Sequence, residues 1–246
     1  MAARRTDPVL RLPGNALGRD FVVGDIHGCF DTVWRAMEAV SFDPARDRIV
    51  SLGDLIDRGP QSHAAPAFLR LPFVTAVRGN HEDMLLELYG EGEPRPEVLE
   101  YAARHNGFGW WLGATDEQRQ DVLDAVAGLP VAVEIEGGDG VGFVHADVPL
   151  GMSWGEFAAA LRDGDPEVSE TAMWGRDRIR SGHDGGVDGI GTVFVGHTPL
   201  RRPLRLGNVW AVDTAAVYRR LGAGYGTLTF ADVAMAAPAA RPAPAP

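Results

Sequence analysis

The sequence predicts an α/β fold in which helices cover a mixed sheet or two packed sheets. Three observations lead there. Short apolar runs alternate with segments of helical period. The early part reads β-α-β-α-β, and the later part reads mostly as strand with an antiparallel tendency.

Residues 1–19 are polar and broken by Pro8, Pro13, Gly14 and Gly18, so they are expected to wrap the surface or fray. Strands are expected at 21–24, 49–52, 74–77, 131–135, 141–144, 193–195, 209–212 and 226–230. Helices are expected at 31–40, 82–89, 97–105, 116–129 and 154–163, the fourth opening after Thr115 with an acidic first turn. The Glu-Gly-Gly-Asp-Gly run at 136–140 lies between two apolar runs and suggests a hairpin. From Ala237 onward four prolines stand among alanines, a composition that cannot pack and reads as a disordered tail. The division is an extension over 1–19, one domain over 20–236, and a Pro/Ala tail over 237–246.

A hydrophobic content of 45% and a charged content of 23% exclude a collagen-like or wholly disordered chain. The net charge of −11 repels nucleic-acid and membrane phosphates, so neither is an expected partner. Any phosphorylated substrate then needs local cations. Cys29 is the single cysteine, which excludes an internal disulfide and a four-cysteine zinc site. No run is apolar enough for a signal peptide or a membrane span, and the expected location is the cytoplasm.

The residues at the exit of each apolar run are the informative feature. Phe21-Val-Val-Gly leads to Asp25-Ile-His27, Ile49-Val-Ser-Leu-Gly to Asp54, and Val74-Thr-Ala-Val-Arg-Gly to Asn80-His81-Glu82. Later, Gly142-Phe-Val precedes His145 and Val193-Phe-Val-Gly precedes His197. Loops at the carboxyl ends of strands in open α/β sheets share one crevice, and ligands bind there. A single Gly-Asp after a strand is ordinarily a turn, and a single buried histidine is ordinarily a hydrogen-bonded core residue. That plain reading has to account for five strand ends at once, and does so poorly. Gly24, Gly53, Gly79 and Gly196 sit just before these residues, where the chain must turn and let a polar side chain approach a centre. Carboxylate, imidazole and amide oxygen donors suit Mn²⁺, Fe²⁺, Zn²⁺ or Ni²⁺. Six such groups are too many for one catalytic ion with an open position, but they suit two ions about 3.5–4 Å apart. Asp54, on the central run, is the natural bridging carboxylate.

Asp25-x-His27, Gly53-Asp54-x-x-Asp57-Arg58-Gly59 and Arg78-Gly79-Asn80-His81-Glu82 resemble the three signature blocks of the calcineurin-like metallophosphoesterases, in order. More narrowly they resemble the phosphoprotein phosphatase branch with its bacteriophage and bacterial members. The resemblance continues through Val144-His145-Ala146-Asp147, Trp174-Gly-Arg176 and Gly196-His197-Thr198-Pro199. It implies a β-sandwich of two mixed sheets flanked by helices. It also implies one ion, preferably Mn²⁺, on Asp25, His27 and Asp54, and a second on Asp54, Asn80, His145 and His197. Arg58, Arg78 and Arg176 would grip phosphoryl oxygens, and His81, oriented by Asp57, would be the general acid. A hydroxide bridging the two ions would attack phosphorus directly, without a phosphoenzyme. The family usually carries Asp-Thr-Gly near its final strands, whereas this chain reads Asp213-Thr214-Ala215.

Other features carry no chemistry. Cys29 and Arg35 match the spacing of cysteine-dependent phosphatases, but the bulky, helix-period residues between them cannot form a phosphate cradle. His63 and His105 read as surface or packing residues, Trp110 and Trp111 as core or groove wall, and the glycine-rich 182–189 segment as a surface loop. The function implied is a metal-dependent phosphomonoesterase of the protein serine/threonine phosphatase kind, acting on phosphorylated protein or small phosphoesters. A symmetrical diadenosine tetraphosphate hydrolase is the enzymatic rival, against which Asp57 and Glu82 speak. A non-catalytic adaptor of the same fold would be expected to show a broken donor set, and all six positions are filled.

Overall fold

The structure is a computed structural model and describes residues 7–218 and 225–236. The tail at 237–246 lies outside the described residues. Ten strands are described: β1 (Val9–Leu12), β2 (Asp20–Val23), β3 (Arg48–Ser51), β4 (Val74–Ala76), β5 (Ala132–Ile135), β6 (Val141–Val144), β7 (Thr192–Val195), β8 (Leu204–Leu206), β9 (Val209–Ala211) and β10 (Phe230–Asp232). They form a six-stranded sheet, β1-β5-β6-β7-β9-β8, and a four-stranded sheet, β10-β2-β3-β4. Both are mixed, as expected: β2, β3 and β4 run parallel with β10 antiparallel, while β6, β7 and β9 run parallel between antiparallel neighbours.

The sandwich is closed by aliphatic and aromatic side chains from the two inner faces. Val22, Val50 and Leu52 of one sheet pack with Val133, Phe143 and Phe194 of the other. The rings of Phe143 and Phe194 stack with centroids 5.5 Å apart. The outer face of the four-stranded sheet is covered by α1 (Phe30–Ala39), α2 (Ala65–Leu69), α3 (Asn80–Leu88), α4 (Pro96–His105) and α5 (Asp116–Ala127). The outer face of the six-stranded sheet is covered by α6 (Trp154–Asp163) and α7 (Pro166–Trp174). The remaining helices are short, α8 (Asp177–Ser181) and α9 (Val233–Ala236). Both faces of each sheet are thus buried, which explains why β2 and β3 are apolar runs and not alternating patterns. No helix among the described residues is long and apolar enough to cross a membrane.

Three expectations are corrected. Residues 9–12 do not fray: they form β1, parallel to β5, with Pro8 O accepting the N–H groups of Val131 and Ala132. Pro8 stands before the strand, where its missing N–H costs nothing. The last strand is Phe230–Asp232 and not 226–230, because Gly226 is left-handed (φ +86°) and the ladder begins at the Phe230–Val23 pair. The later half is not mostly strand, since α6, α7 and α8 are inserted between β6 and β7. The edge strand β8, Leu-Arg-Leu, lies outside the expected strands because three residues with Leu204 and Arg205 exposed make too short a run to stand out. The β5–β6 hairpin and the Thr115 cap of α5 are found where expected, the Thr115 hydroxyl accepting Gln118 N–H at 3.2 Å.

Candidate active site

The parallel strands of both sheets deliver their carboxyl ends to one crevice. β2 leads to Asp25 and His27, β3 to Asp54, β4 to Asn80, β6 to His145 and β7 to His197, all buried. The local backbone is unusual there. His27, Asp54, Asp57, Arg58 and His197 all have positive φ, between 44° and 72°, and outside this group only Ser41 and Ala215 share that feature among the described non-glycine residues. Each such residue costs about 1–2 kcal/mol, so the surrounding fold must enforce it. The preceding glycines allow the close approach: a Cβ on Gly79 would collide with the Asp54 carboxylate, and one on Gly196 with that of Asp25.

The imidazoles are oriented from behind. His27 Nδ1–H donates to Ile56 O at 2.8 Å and His145 Nδ1–H to Leu52 O at 2.7 Å, which turns both Nε2 lone pairs inward. Asp54 lies between them, with Oδ2 3.4 Å from His27 Nε2 and Oδ1 3.5 Å from His145 Nε2. On the second side His145 Nε2, Asn80 Oδ1 and His197 Nδ1 lie within 3.2 Å of one another. His145 has already spent its proton on Leu52, so its Nε2 and Asn80 Oδ1 are two acceptors 2.8 Å apart. A cation shared by the two would satisfy that pair. The nearest hydrogen-bond donor to it is the His197 ring, whose Nδ1 lies 2.9 Å from Asn80 Oδ1 and 3.2 Å from His145 Nε2.

Protonation states agree with this donor set. Burial drives His27 down to about 3 and His197 to about 2, and it also lowers His145, so all three rings are neutral and able to donate a lone pair. Burial opposes charge on Asp54, but the surrounding histidines outweigh it and hold the carboxyl well below its usual range. Asp25 is pushed well above that range by burial and by Asp213 and Asp54. Its two oxygens accept the His197 N–H at 3.0 and 3.2 Å. The described residues thus hold two buried donor clusters that share Asp54, His27–Asp54–His81 and Asp54–His145–His197, and their chemistry fits divalent cations. Asp25 stands outside both, its carboxylate turned to the His197 N–H.

Beside the donors stands a buried pair. His81 Nδ1–H donates to Asp57 Oδ2 at 2.7 Å. Burial works against an imidazolium here, but Asp54 and Asp57 prevail and raise His81 above its usual value. His81, with Nε2 3.9 Å from Asp54 Oδ2, lines a cavity of about 330 Å³ together with Arg58, Arg176, Trp174 and Tyr218. Arg58 reaches His27 Nε2 with one guanidinium N–H, and Arg176 Nε donates to His197 Nε2 at 3.0 Å. Arg78 is not brought to this cavity. Its guanidinium is taken up by Asp83 at 3.2 Å and by the carbonyls of Ala127 and Leu129, so it braces α3 against the end of α5.

Other residues belong to the site although the sequence pattern did not place them there. His105, expected at the surface or in packing, lies on the rim of the cavity. Trp110, expected as core or groove wall, donates its indole N–H to Asp57 Oδ1 at 2.7 Å. Tyr218 lies under the Arg58 guanidinium at 5.4 Å. Glu82, used only as a motif letter, takes N–H bonds from Gly79, Asp54, Leu55 and Ile56. His183 and Asp184 lie away from the cavity, on a loop fastened by Asn208 through Val187. Cys29 precedes α1 and Arg35 lies on that helix, so the two form no phosphate cradle.

Comparison with known proteins accords with this geometry. The family model described as calcineurin-like phosphoesterase matches residues 21–202. The chain is 35% identical over 202 residues to serine/threonine-protein phosphatase 1 of Salmonella typhimurium, covering 80% of this chain and 87% of that protein. It is 34% identical over 150 residues to the symmetrical bis(5'-nucleosyl)-tetraphosphatase of Methylococcus capsulatus, but there only 60% of this chain and 49% of that protein align. Among solved structures, a protein serine/threonine phosphatase from Saccharomyces cerevisiae superposes with a TM-score of 0.58 at 17% identity, over 91% of this chain and 76% of that one. At that identity the likeness concerns the fold alone. With the model match spanning well over half its length, this chain belongs to the calcineurin-like phosphoesterases.

Proposed function

We propose that this protein is a metal-dependent phosphomonoesterase that removes phosphate from phosphoserine and phosphothreonine side chains, in the cytoplasm, with Mn²⁺ as the preferred ion. The observation that carries the reading is the Asp57–His81 pair at 2.7 Å, beside two buried donor clusters that share Asp54: His27 and His81 with Asp54, and His145 and His197 with Asp54. Asp25, His27 and Asp54 would hold one ion, and Asp54, Asn80, His145 and His197 the other. When bound, the ions supply an acidified water and positive charge that the chain's −11 balance lacks.

The chain's own residues do the rest. Arg58 and Arg176 present planar N–H donors to phosphoryl oxygens in the cavity. His81 keeps one proton engaged with Asp57 through Nδ1 and holds the other on Nε2, facing the cavity. A serine or threonine alkoxide is a poor leaving group, so the Nε2 proton is delivered to that oxygen as the ester bond breaks.

Metal-stripped protein with Mn²⁺ added back is to be assayed for phosphate release from a phosphoseryl peptide and for ADP release from diadenosine tetraphosphate. Faster peptide turnover supports the proposal. Faster dinucleotide turnover replaces it with the tetraphosphatase reading, which the Methylococcus relative keeps in view. No turnover on either, with metal bound, leaves the non-catalytic adaptor.

A further inference from the structure

Asp57 and Arg58 are consecutive, both left-handed (φ 72° and 65°), and they serve different parts of the site. One segment, Gly107 and the 3-10 turn Phe108–Gly113 that follows it, grips both. Gly107 O accepts Arg58 N–H at 3.0 Å, and Trp110 Nε1–H donates to Asp57 Oδ1 at 2.7 Å. Gly107 is itself left-handed (φ 86°), and a Cβ there would lie 2.7 Å from Arg58 Cγ. The segment is in turn seated on the core through Phe108 and Trp111, both buried.

The Asp57 carboxylate is fully buried and has two oxygens to satisfy. His81 takes one and Trp110 takes the other, so the carboxylate plane is held at both ends. Without the indole N–H, Oδ1 has no partner, and the carboxylate can turn and carry the His81 ring with it. We infer that Trp110 is a positioning residue for the proton on His81, acting through Asp57. The inference rests on the phosphomonoesterase reading above and deepens it.

The test compares Trp110→Phe, which keeps an aromatic ring against Trp111, with His81→Asn and the double variant. Each Mn²⁺-loaded enzyme is assayed on a phosphoseryl peptide and on p-nitrophenyl phosphate, whose leaving group needs little protonation. Trp110→Phe is expected to lower kcat on the peptide about tenfold, as befits a lost hydrogen bond to a charged group. On the aryl ester the loss is expected to stay within about twofold, with KM unchanged on both. Adding it to His81→Asn should cost the peptide reaction nothing more. An equal loss on both substrates, no loss on either, or a full further loss in the double variant overturns the inference. If His81→Asn itself slows both substrates equally, the acid assignment fails and takes this inference with it. If only Trp110→Phe fails to discriminate, this inference alone falls.

Discussion

Glu82 Oε2 accepts the backbone N–H of Asp54 at 2.9 Å, so the carboxylate that both candidate ions would share is placed by a second carboxylate behind it. The same side chain takes N–H bonds from Leu55, Ile56 and Gly79, at 2.8, 3.2 and 2.9 Å. Burial and the nearby Asp54 charge push the Glu82 carboxyl up to about 7, while four N–H donors hold the anion in place. Glu82→Gln turns two of those contacts into donor-on-donor clashes. The expected cost is about 2–4 kcal/mol of stability, with at least a tenfold loss of Mn²⁺ affinity. Denaturant unfolding and calorimetric metal titration check both, and wild-type metal binding in the variant refutes the placement role.

Metal removal should act on stability through pH. Burial, opposed by the Ala215 N–H and joined by the Asp54 charge, raises Asp213 to about 6, and Asp25 is raised beside it. An acid with a raised folded-state value contributes stability that is full below its unfolded value, near 4, and is lost as pH rises through about 6. Chelator-treated protein is therefore expected to lose on the order of 3 kcal/mol between pH 4 and pH 8 from Asp213 alone. Mn²⁺ supplies the missing counter-charge, so its stabilisation should be larger at pH 8 than at pH 5. Melting curves with and without the ion at both values decide it. The buried neutral imidazoles of His27 and His197 act in the opposite direction over the same range, so the carboxylate share is read as a difference. Metal-free Asp213→Asn is expected to gain on the wild type between pH 4 and pH 8, and an identical pH dependence of the two contradicts the carboxylate arrangement.

The arginines divide into two kinds. Arg58 is exposed to the cavity, and Arg58→Ala is expected to raise KM for phosphoester about tenfold or more at unchanged fold. Arg78 is spent on Asp83 and two carbonyls, so Arg78→Ala should cost about 1–3 kcal/mol of stability and leave KM within about twofold. Parallel kinetics and urea unfolding separate the roles. A tenfold rise in KM for Arg78→Ala would return it to the phosphate site.

Legibility in the sequence tracked periodicity and spacing. The apolar runs ending at Gly24, Gly53, Gly79 and Gly196 are buried parallel strands, so the crevice they open on was readable from their exits. β1 and β8 were not readable, because edge strands expose most of their side chains and carry arginines in the run. The start of α7 does carry a local signal: Asp165, which accepts the N–H groups of Glu167 and Val168, stands directly before Pro166. Trp110 lies 53 residues from Asp57, and no local pattern announces a contact at that range. Arg78 adjoins a donor block in sequence, but side-chain direction is decided by tertiary partners at the end of α5, which a motif does not encode.

Ala215 tests the departure from Asp-Thr-Gly directly. Its φ is +63°, a left-handed backbone that costs a residue with a Cβ about 1–2 kcal/mol. The strain is tolerated because Ala215 N–H donates to Asp213 Oδ1 at 2.7 Å and its carbonyl accepts Tyr218 N–H at 2.8 Å, closing a turn beside the site. Glycine removes the strain but gives back about 0.5–1 kcal/mol in unfolded-state entropy. Ala215→Gly is therefore expected to stabilise the fold by about 0.5–1 kcal/mol and leave kcat within about twofold, since neither hydrogen bond uses the Cβ. Ala215→Val, branched at the same carbon, should destabilise by about 1 kcal/mol or more. The readout is the urea midpoint at constant m-value. A lower midpoint for the glycine variant would mean that the alanine methyl, buried at 2% exposure, contributes more by packing than its backbone loses by strain.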